Sequence, residues 1–286
     1  MAVATLHRPE GLARCLEALA AGTVKPTEVI VVDQGGLAGP IVAAFRERLP
    51  VRCLRQERRG LAASRNLALT EARSPVLAVT DDDCVPDAGW VAALDRALRS
   101  PERDAVTGPV LPLGPDSPGL YAVSSRTSTS PAEFTGRALP WLVGTGGNFA
   151  ARRESILRAG GFDERLGAGS PGAAGEDMDL LYRLLRAGAH IRYEPEAVIF
   201  HERQPQDRRF ASRSAYGHGI GACCGLWLRE RDLHAVAVLA GWLRMRGAMA
   251  TGALRRRQWS SAREELRVLS GTARGLIYGL RTGRRA

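Results

Sequence analysis

Apolar and polar positions alternate between two periods along most of the chain. Residues 2–6 (AVATL) and 28–33 (EVIVVD) are short apolar runs of the kind buried strands take. Between them Pro9 opens a helix through 10–21, where Leu12, Cys15, Leu16 and Leu19 recur at helical spacing. The alternation continues with a helix at about 38–48, a strand at 51–54, a helix at 61–72 and a strand at 76–80 (VLAVT) bounded by Pro75. A helix at 89–98 and a strand at 105–111 follow. Strands and helices joined by short connections predict an α/β fold with a mostly parallel sheet covered on both faces.

Residues 112–140, rich in Pro, Ser and Thr, carry little periodicity and predict a lid, a binding loop or disorder. The stretch 141–151 (WLVGTGGNFAA) regains strand character with glycines inside it, a pattern for a bulge or for close approach of a ligand or another backbone. A short helix at 153–159, a turn at 160–164 and a small-residue loop at 167–175 lead to a helix starting at Glu176. There Leu180, Leu181, Leu184 and Leu185 form a buried stripe, and position 177 precedes them at three, four, seven and eight residues, on the same face. Asp177 is therefore expected to point inward from the first turn, as a cap or as chemistry, while Asp179 pairs with Arg183 on the solvent side. Strands at 190–193 and 197–200 end at His201, and the rest of the chain reads as helices broken near 217–225 and 247–252.

Three consecutive carboxylates, Asp81, Asp82 and Asp83, follow the strand at 76–80. Like charges so close are kept in a folded protein when solvated or when a cation neutralises them, and hard divalent metals favour such oxygen ligands. Parallel sheets bind ligands off their carboxyl ends, so Asp33 at the end of the strand 28–33 shares one crevice with the triplet. No G-x-G-x-x-G follows the first strand, which removes the main sign of a dinucleotide fold.

Composition adds two points. The five cysteines (Cys15, Cys53, Cys84, Cys223, Cys224) have no C-x-x-C spacing, so neither a zinc ribbon nor a disulfide framework is expected, and a reducing compartment fits. Of the 40 basic residues only Lys25 is a lysine, and residues 229–286 hold 13 Arg against Glu230, Asp232, Glu264 and Glu265. The basic excess thus lies in the last fifth, where the longest apolar run, 233–243, contains His234 and stops at Arg244, short of the roughly 20 residues a spanning helix needs. No signal peptide is read at the start. A cytoplasmic protein is expected, touching the anionic inner face of the cell membrane peripherally through 229–286. Aromatics are not interleaved with these arginines, so no nucleic acid is expected.

Several motifs in order resemble glycosyltransferase family 2. Thr5-Leu6-His7-Arg8 looks like the family's opening T-x-N-R turn, with Leu6 where an aromatic often stands, and Val31-Val32-Asp33 like its V-V-D strand end. Gly60 with Ala63-Ser64-Arg65-Asn66 looks like its G-x-x-x-A-R-N helix start, and Thr80 to Asp83 like its D-x-D region. Gly146-Gly147-Asn148 with the turn 160–164 is similar to the acceptor-side segment, and Glu176-Asp177 to the E-D motif. The resemblance covers about 2–201.

It implies a GT-A fold: a catalytic domain at 1–204, with a nucleotide-binding half at 1–111 and an acceptor-binding half at 112–204, and a basic helical extension at 205–286. It implies an inverting transferase using a nucleoside-diphosphate sugar and Mg²⁺ or Mn²⁺, with Asp177 as general base beside Glu176. Thr5, Arg8, Asp33, Arg65, Asp81, Asp82, Gly147 and Asn148 would bind the donor, and Asp81, Asp83 and His201 the metal. The acceptor would be a glycan, a lipid-linked or a small-molecule hydroxyl. Two other readings of the fold compete: a sugar-phosphate nucleotidyltransferase, whose Gly-rich opening loop is absent from 1–10, and a non-catalytic nucleotide-sugar or glycan binder, which would not need the triplet, Asp177 and His201 together.

Overall fold

The computed structural model describes residues 1–123 and 126–283; Ser124 and Ser125 of the 112–140 stretch, and Arg284, Arg285 and Ala286 of the basic segment, lie outside the described residues. The chain opens with β1 (Ala2–Thr5), α1 (Pro9–Ala21), β2 (Val29–Asp33), α2 (Ala38–Phe45), β3 (Val51–Arg55), α3 (Leu61–Glu71) and β4 (Val76–Asp81). Next come β5 (Cys84–Pro86), α4 (Trp90–Leu98), β6 (Ala105–Thr107), β7 (Val110–Pro112), β8 (Leu120–Tyr121), β9 (Ala132–Phe134) and α5 (Pro140–Val143). Then follow β10 (Phe149–Arg152), α6 (Arg153–Arg158), α7 (Glu176–Arg186), β11 (Ile191–Tyr193), β12 (Ile199–His201) and β13 (Gln204–Pro205). Three long helices end the chain: α8 (Gln206–Arg229), α9 (His234–Arg255) and α10 (Trp259–Arg281).

Eight strands form the central sheet in the order β3-β2-β1-β4-β10-β6-β11-β9. Strands β10 and β9 run against the other six. The period of two in β2 builds both layers. Val29 and Val31 face a core with Leu12, Leu16 and Trp90, while Ile30 and Val32 face another with Leu69, Phe162, Leu180 and Leu184. A small sheet, β5-β12-β7, brings the end of β12 beside the residues that follow β4.

Four expectations change. The strand at 105–111 divides at Gly108-Pro109, β6 joining the main sheet and β7 the small one. A Cβ at Gly108 would lie 2.8 Å from the Asn148 side-chain amide, so the crossing point needs a residue without one. Within 112–140, β9 closes the edge of the main sheet against β11. Strand character at 141–151 begins only at Phe149, after the helical turn of α5.

The fourth change is the largest: α8 and α9 run unbroken through 217–225 and 247–252. In α8, glycines 217, 221 and 225 face glycines 271, 275 and 279 of α10. These helices share a third core with Leu166 and α7, in which Tyr182 of α7 stacks on Trp227 at 3.7 Å between ring centres. Among the described residues no helix is long and apolar enough to cross a membrane.

Candidate active site

The carboxyl ends of β1, β2 and β4 lie side by side, in register Thr5 with Asp33 and Ala4 with Asp81. Asp33, buried, accepts hydrogen bonds from the backbone N–H groups of Gly35 (2.9 Å), Gly36 (2.8 Å) and Ala38 (3.0 Å). Burial pushes its pKa up, but these donors and Arg55 outweigh it and leave the carboxyl below its ordinary value. Asp33 therefore fixes the turn into α2 while sitting at the crevice edge.

The triplet divides its work by direction. Asp82 turns inward, where Thr5 Oγ1 donates to it at 2.7 Å and Arg8 Nη1 at 3.1 Å. Burial pushes it up to about 6 despite those two donors, with Asp83 and Asp81 adding to the rise. Asp81 is the most open member, with 30 % of its side chain exposed, and accepts from Arg65 Nη2 at 2.9 Å. A Cβ at Gly147 would stand 2.9 Å from Asp81 Oδ2, so that glycine keeps the carboxylate's flank clear. Asp83 meets Arg8 on one oxygen and His201 Nε2 on the other, the latter at 3.4 Å.

His201 gives the test of whether a metal fits. Its Nδ1 lies 2.7 Å from the Glu202 carbonyl oxygen, which can only accept, so the ring proton belongs on Nδ1. Nε2 then turns a lone pair toward the Asp83 carboxylate, an arrangement that a cation between them, or a second proton on the ring, would satisfy. Asp83, Cys84 and His201 offer ligand atoms within 4.8 Å of one another. Burial, then Asp81 and Asp83, push the Cys84 thiol well above its ordinary value, and a hard cation prefers the carboxylate and the imidazole to a sulfur donor. Such donors fit a divalent cation of the Mg²⁺ or Mn²⁺ kind.

Across the crevice stands the first turn of α7. Asp177, half-buried, accepts from the Gly146 N–H at 2.6 Å and from the Met178 N–H at 2.8 Å. It does not cap the helix, whose N-cap is Gly175. Glu176 is buried and bound to Arg65 Nη1 at 2.7 Å. Arg65 thus ties Asp81 on β4 to Glu176 on α7, and its Nη2 also reaches the Gly146 carbonyl at 3.3 Å.

Three site expectations meet a different geometry. Arg65, only 3 % exposed, has its terminal nitrogens engaged by protein acceptors, so it positions carboxylates and does not reach out toward a diphosphate. Asn148 is fully buried: it accepts from Trp90 Nε1 at 2.8 Å and donates to the carbonyls of Pro109 (2.9 Å) and Ala197 (2.6 Å). With both ends of its amide used in the core, it ties the two sheets together and offers no group to a donor. Asp179 pairs with Arg183 at 2.6 Å as expected, yet it is buried, because α8 covers it and Trp227 Nε1 donates to it at 2.8 Å. Thr5, Arg8, Asp33, Asp81, Asp82, Asp83, Gly147, Asp177 and His201 do come together around one crevice.

Comparison with known proteins bears on this arrangement. The chain is 30 % identical over 187 residues to the pre-mycofactocin glycosyltransferase of Mycobacterium tuberculosis, covering 64 % of this chain and 38 % of that protein. It therefore spans well under half of that relative's length. Among solved structures, a mannosyltransferase from Pyrobaculum calidifontis in complex with GDP-Man and Mn²⁺ superposes with a TM-score of 0.66 at 20 % identity, covering 96 % of this chain and 86 % of the other. S. aureus TarS 1-349 superposes with the same TM-score, 0.66, at 15 % identity over 98 % of this chain and 88 % of that one. These similarities show the GT-A fold. The sequence pattern described as Glycosyl transferase family 2 matches residues 1–159, more than half of the chain, and the protein belongs to that family.

Proposed function

We propose that the chain is a metal-dependent inverting glycosyltransferase that moves a sugar from a nucleoside-diphosphate sugar to an acceptor hydroxyl. The observation that carries this reading is the placing of Asp177 across the crevice from the Asp83–His201 pair, with Arg65 linking the two sides through Glu176 and Asp81. Asp83, His201 and Asp81 would hold Mg²⁺ or Mn²⁺, which would neutralise the charge that builds on the leaving diphosphate. Thr5, Arg8, Asp33, Asp82 and Gly147 would shape the donor side. The acceptor oxygen attacks the anomeric carbon, forming the new C–O bond as the bond to phosphate breaks and its electron pair leaves with the diphosphate. The hydroxyl proton goes to Asp177, whose carboxylate is held in place by the Gly146 N–H. Attack from the face opposite the leaving group inverts the anomeric centre.

The acceptor we propose is a glycan, a lipid-linked or a small-molecule hydroxyl, met on the cytoplasmic face of the membrane, with residues 1–204 as the catalytic unit and 205–286 as the part that touches anionic lipid. The test of the catalytic reading is nucleoside-diphosphate release from a panel of nucleotide sugars. Asp177→Asn is expected to keep donor affinity while transfer falls by about a hundredfold or more, the usual loss for a positioned base. Near wild-type transfer in that variant would remove Asp177 as the base. Activity that survives both EDTA and Asp83→Ala would remove the metal.

A further inference from the structure

Helix α8 holds the first turn of α7 at two points, one helical turn apart on each helix. The Cys223 thiol donates to the Gly175 carbonyl oxygen at 3.4 Å, and four residues on, Trp227 Nε1 donates to Asp179 Oδ1 at 2.8 Å. Gly175 and Asp179 are the two ends of that turn, since the Asp179 N–H donates to the same Gly175 carbonyl at 2.9 Å. A Cβ at Gly175, where φ is +91°, would lie 3.0 Å from the Cys223 sulfur, and one at Gly219 would lie 2.6 Å from the Ala174 carbonyl oxygen, so glycines let the two elements touch.

Trp227 makes the stronger of the two holds. It and Asp179 are both buried, so their bond to a charged acceptor forms away from water. The other oxygen, Asp179 Oδ2, accepts from Arg183 Nε at 2.8 Å and Nη2 at 2.6 Å, and Arg183 donates further to the carbonyls of Ala159 and Gly161. The indole also lies on the Tyr182 ring with 14° between the planes. One carboxylate thus fixes α7 against α8 and against the turn after α6. Asp177 stands between the two held points. It precedes Asp179 by two residues, about 200° round the helix, so it faces the crevice and Gly146 while Asp179 faces α8.

We propose that Trp227 is a positioning residue for Asp177: its indole N–H, through Asp179, sets the rotation and tilt of the first turn of α7 and so the place of the carboxylate that takes the acceptor proton. A general base works only within hydrogen-bond reach of that proton, and a misplacement of about 1 Å can cost about a hundredfold in rate. Trp227 lies well beyond residues 1–159, which carry the family pattern. The helical extension is then a part that the chemistry needs, because the catalytic helix takes its setting from α8. This inference rests on Asp177 being the base that receives the acceptor proton.

The experiment follows nucleoside-diphosphate release from the nucleotide sugar that the wild-type protein turns over, with Mn²⁺ present and p-nitrophenyl hexosides or water as the attacking hydroxyl. Trp227→Phe keeps a ring against Tyr182 and removes the N–H. Its kcat should fall by about tenfold, while acceptor KM and donor Kd stay within about twofold of wild type. Added to Asp177→Asn, the same change should cost nothing further, because a residue that acts through the base has no effect once the base is gone. Asp179→Asn keeps the volume, weakens the bond from its other end and should behave alike; if Trp227→Phe does not fold, it decides by the same criteria. Tyr182→Phe, which loses the 2.7 Å bond to Asp232 further along α7, should lower Tm and leave kcat unchanged, separating lost stability from lost position. Wild-type kcat in Trp227→Phe overturns the proposal, and so does an equal fractional loss with and without Asp177, or a loss carried by acceptor KM; each leaves the proposed function standing. Near wild-type transfer in Asp177→Asn alone, or a wild-type protein that turns over no nucleotide sugar, overturns both.

Discussion

Arg65 is the residue on which the two sides of the crevice depend. It is buried, and one guanidinium answers two carboxylates, Glu176 at 2.7 Å and Asp81 at 2.9 Å, with Asp177 next along the helix. The charges do not balance, and the carboxyl deepest in the protein yields first: burial, and then Asp177, push Glu176 up from its ordinary 4.5 to about 7, against the pull of Arg65. Between those two values the folded state holds a proton that the unfolded state has released. Stability from this group is therefore intact below pH 4.5 and falls as pH rises toward 7, then levels off. Glu176→Gln removes the titration, so its melting temperature should decline less than that of the wild-type protein between pH 5 and 7. Equal slopes for the two proteins would show that Glu176 ionises normally. The same residue illustrates what a motif conveys: the sequence places Arg65 and Glu176 at the site, but not that they meet each other.

At the scale of elements, the contact between α8 and α10 sets how the C-terminal third holds together. Glycines recur every fourth residue on both helices, and each faces a backbone carbonyl of the other helix: a Cβ at Gly225 would lie 2.6 Å from the Leu276 oxygen and one at Gly271 would lie 2.7 Å from the Ser214 oxygen. Nothing flexible is available to move aside. Gly271→Ala should therefore destabilise the protein by about 1–3 kcal/mol, the range for forced overpacking, although alanine is the better helix former. Urea unfolding measures it, and a stabilised variant would show that the helices separate freely. The β/α alternation through β4 is legible in the sequence because each apolar run there is buried by its immediate neighbours in the chain. The α8–α10 contact is not, because a glycine read singly signals a helix break, while its meaning here lies in matching a second helix far along the chain. Asp179 was misplaced for the same reason: its spacing to Arg183 is local, but the helix that buries it is not. Asn148 follows the glycine pair 146–147, yet only the folded neighbours, Trp90, Pro109 and Ala197, reveal that its amide is spent inside.

On the scale of the whole molecule, the outward side of α9 is apolar without a cover. Leu233 is 78 % exposed, Val236 54 %, Leu243 41 % and Leu254 43 %, and Trp259 at the start of α10 is 61 % exposed. They recur at helical spacing opposite Val238 and Trp242, which seal the third core. Arg244, Arg255, Arg256 and Arg257 are exposed on the same helix and the turn after it. An apolar stripe with a tryptophan at its end and arginines beside it suits an anionic bilayer surface, where the side chains enter the headgroup layer and each arginine adds about 1 kcal/mol. Removing 229–286 would strip the third core, so surface substitutions make the cleaner probe. The protein should co-sediment with phosphatidylglycerol vesicles at low salt and much less with phosphatidylcholine vesicles, and the difference should shrink as salt rises. Changing Arg255, Arg256 and Arg257 together to glutamine should abolish the preference for anionic lipid, while Leu243→Glu with Leu254→Glu should weaken binding to both. Equal partitioning onto the two kinds of vesicle, or none onto either, would rule out the membrane as the occupant of this face.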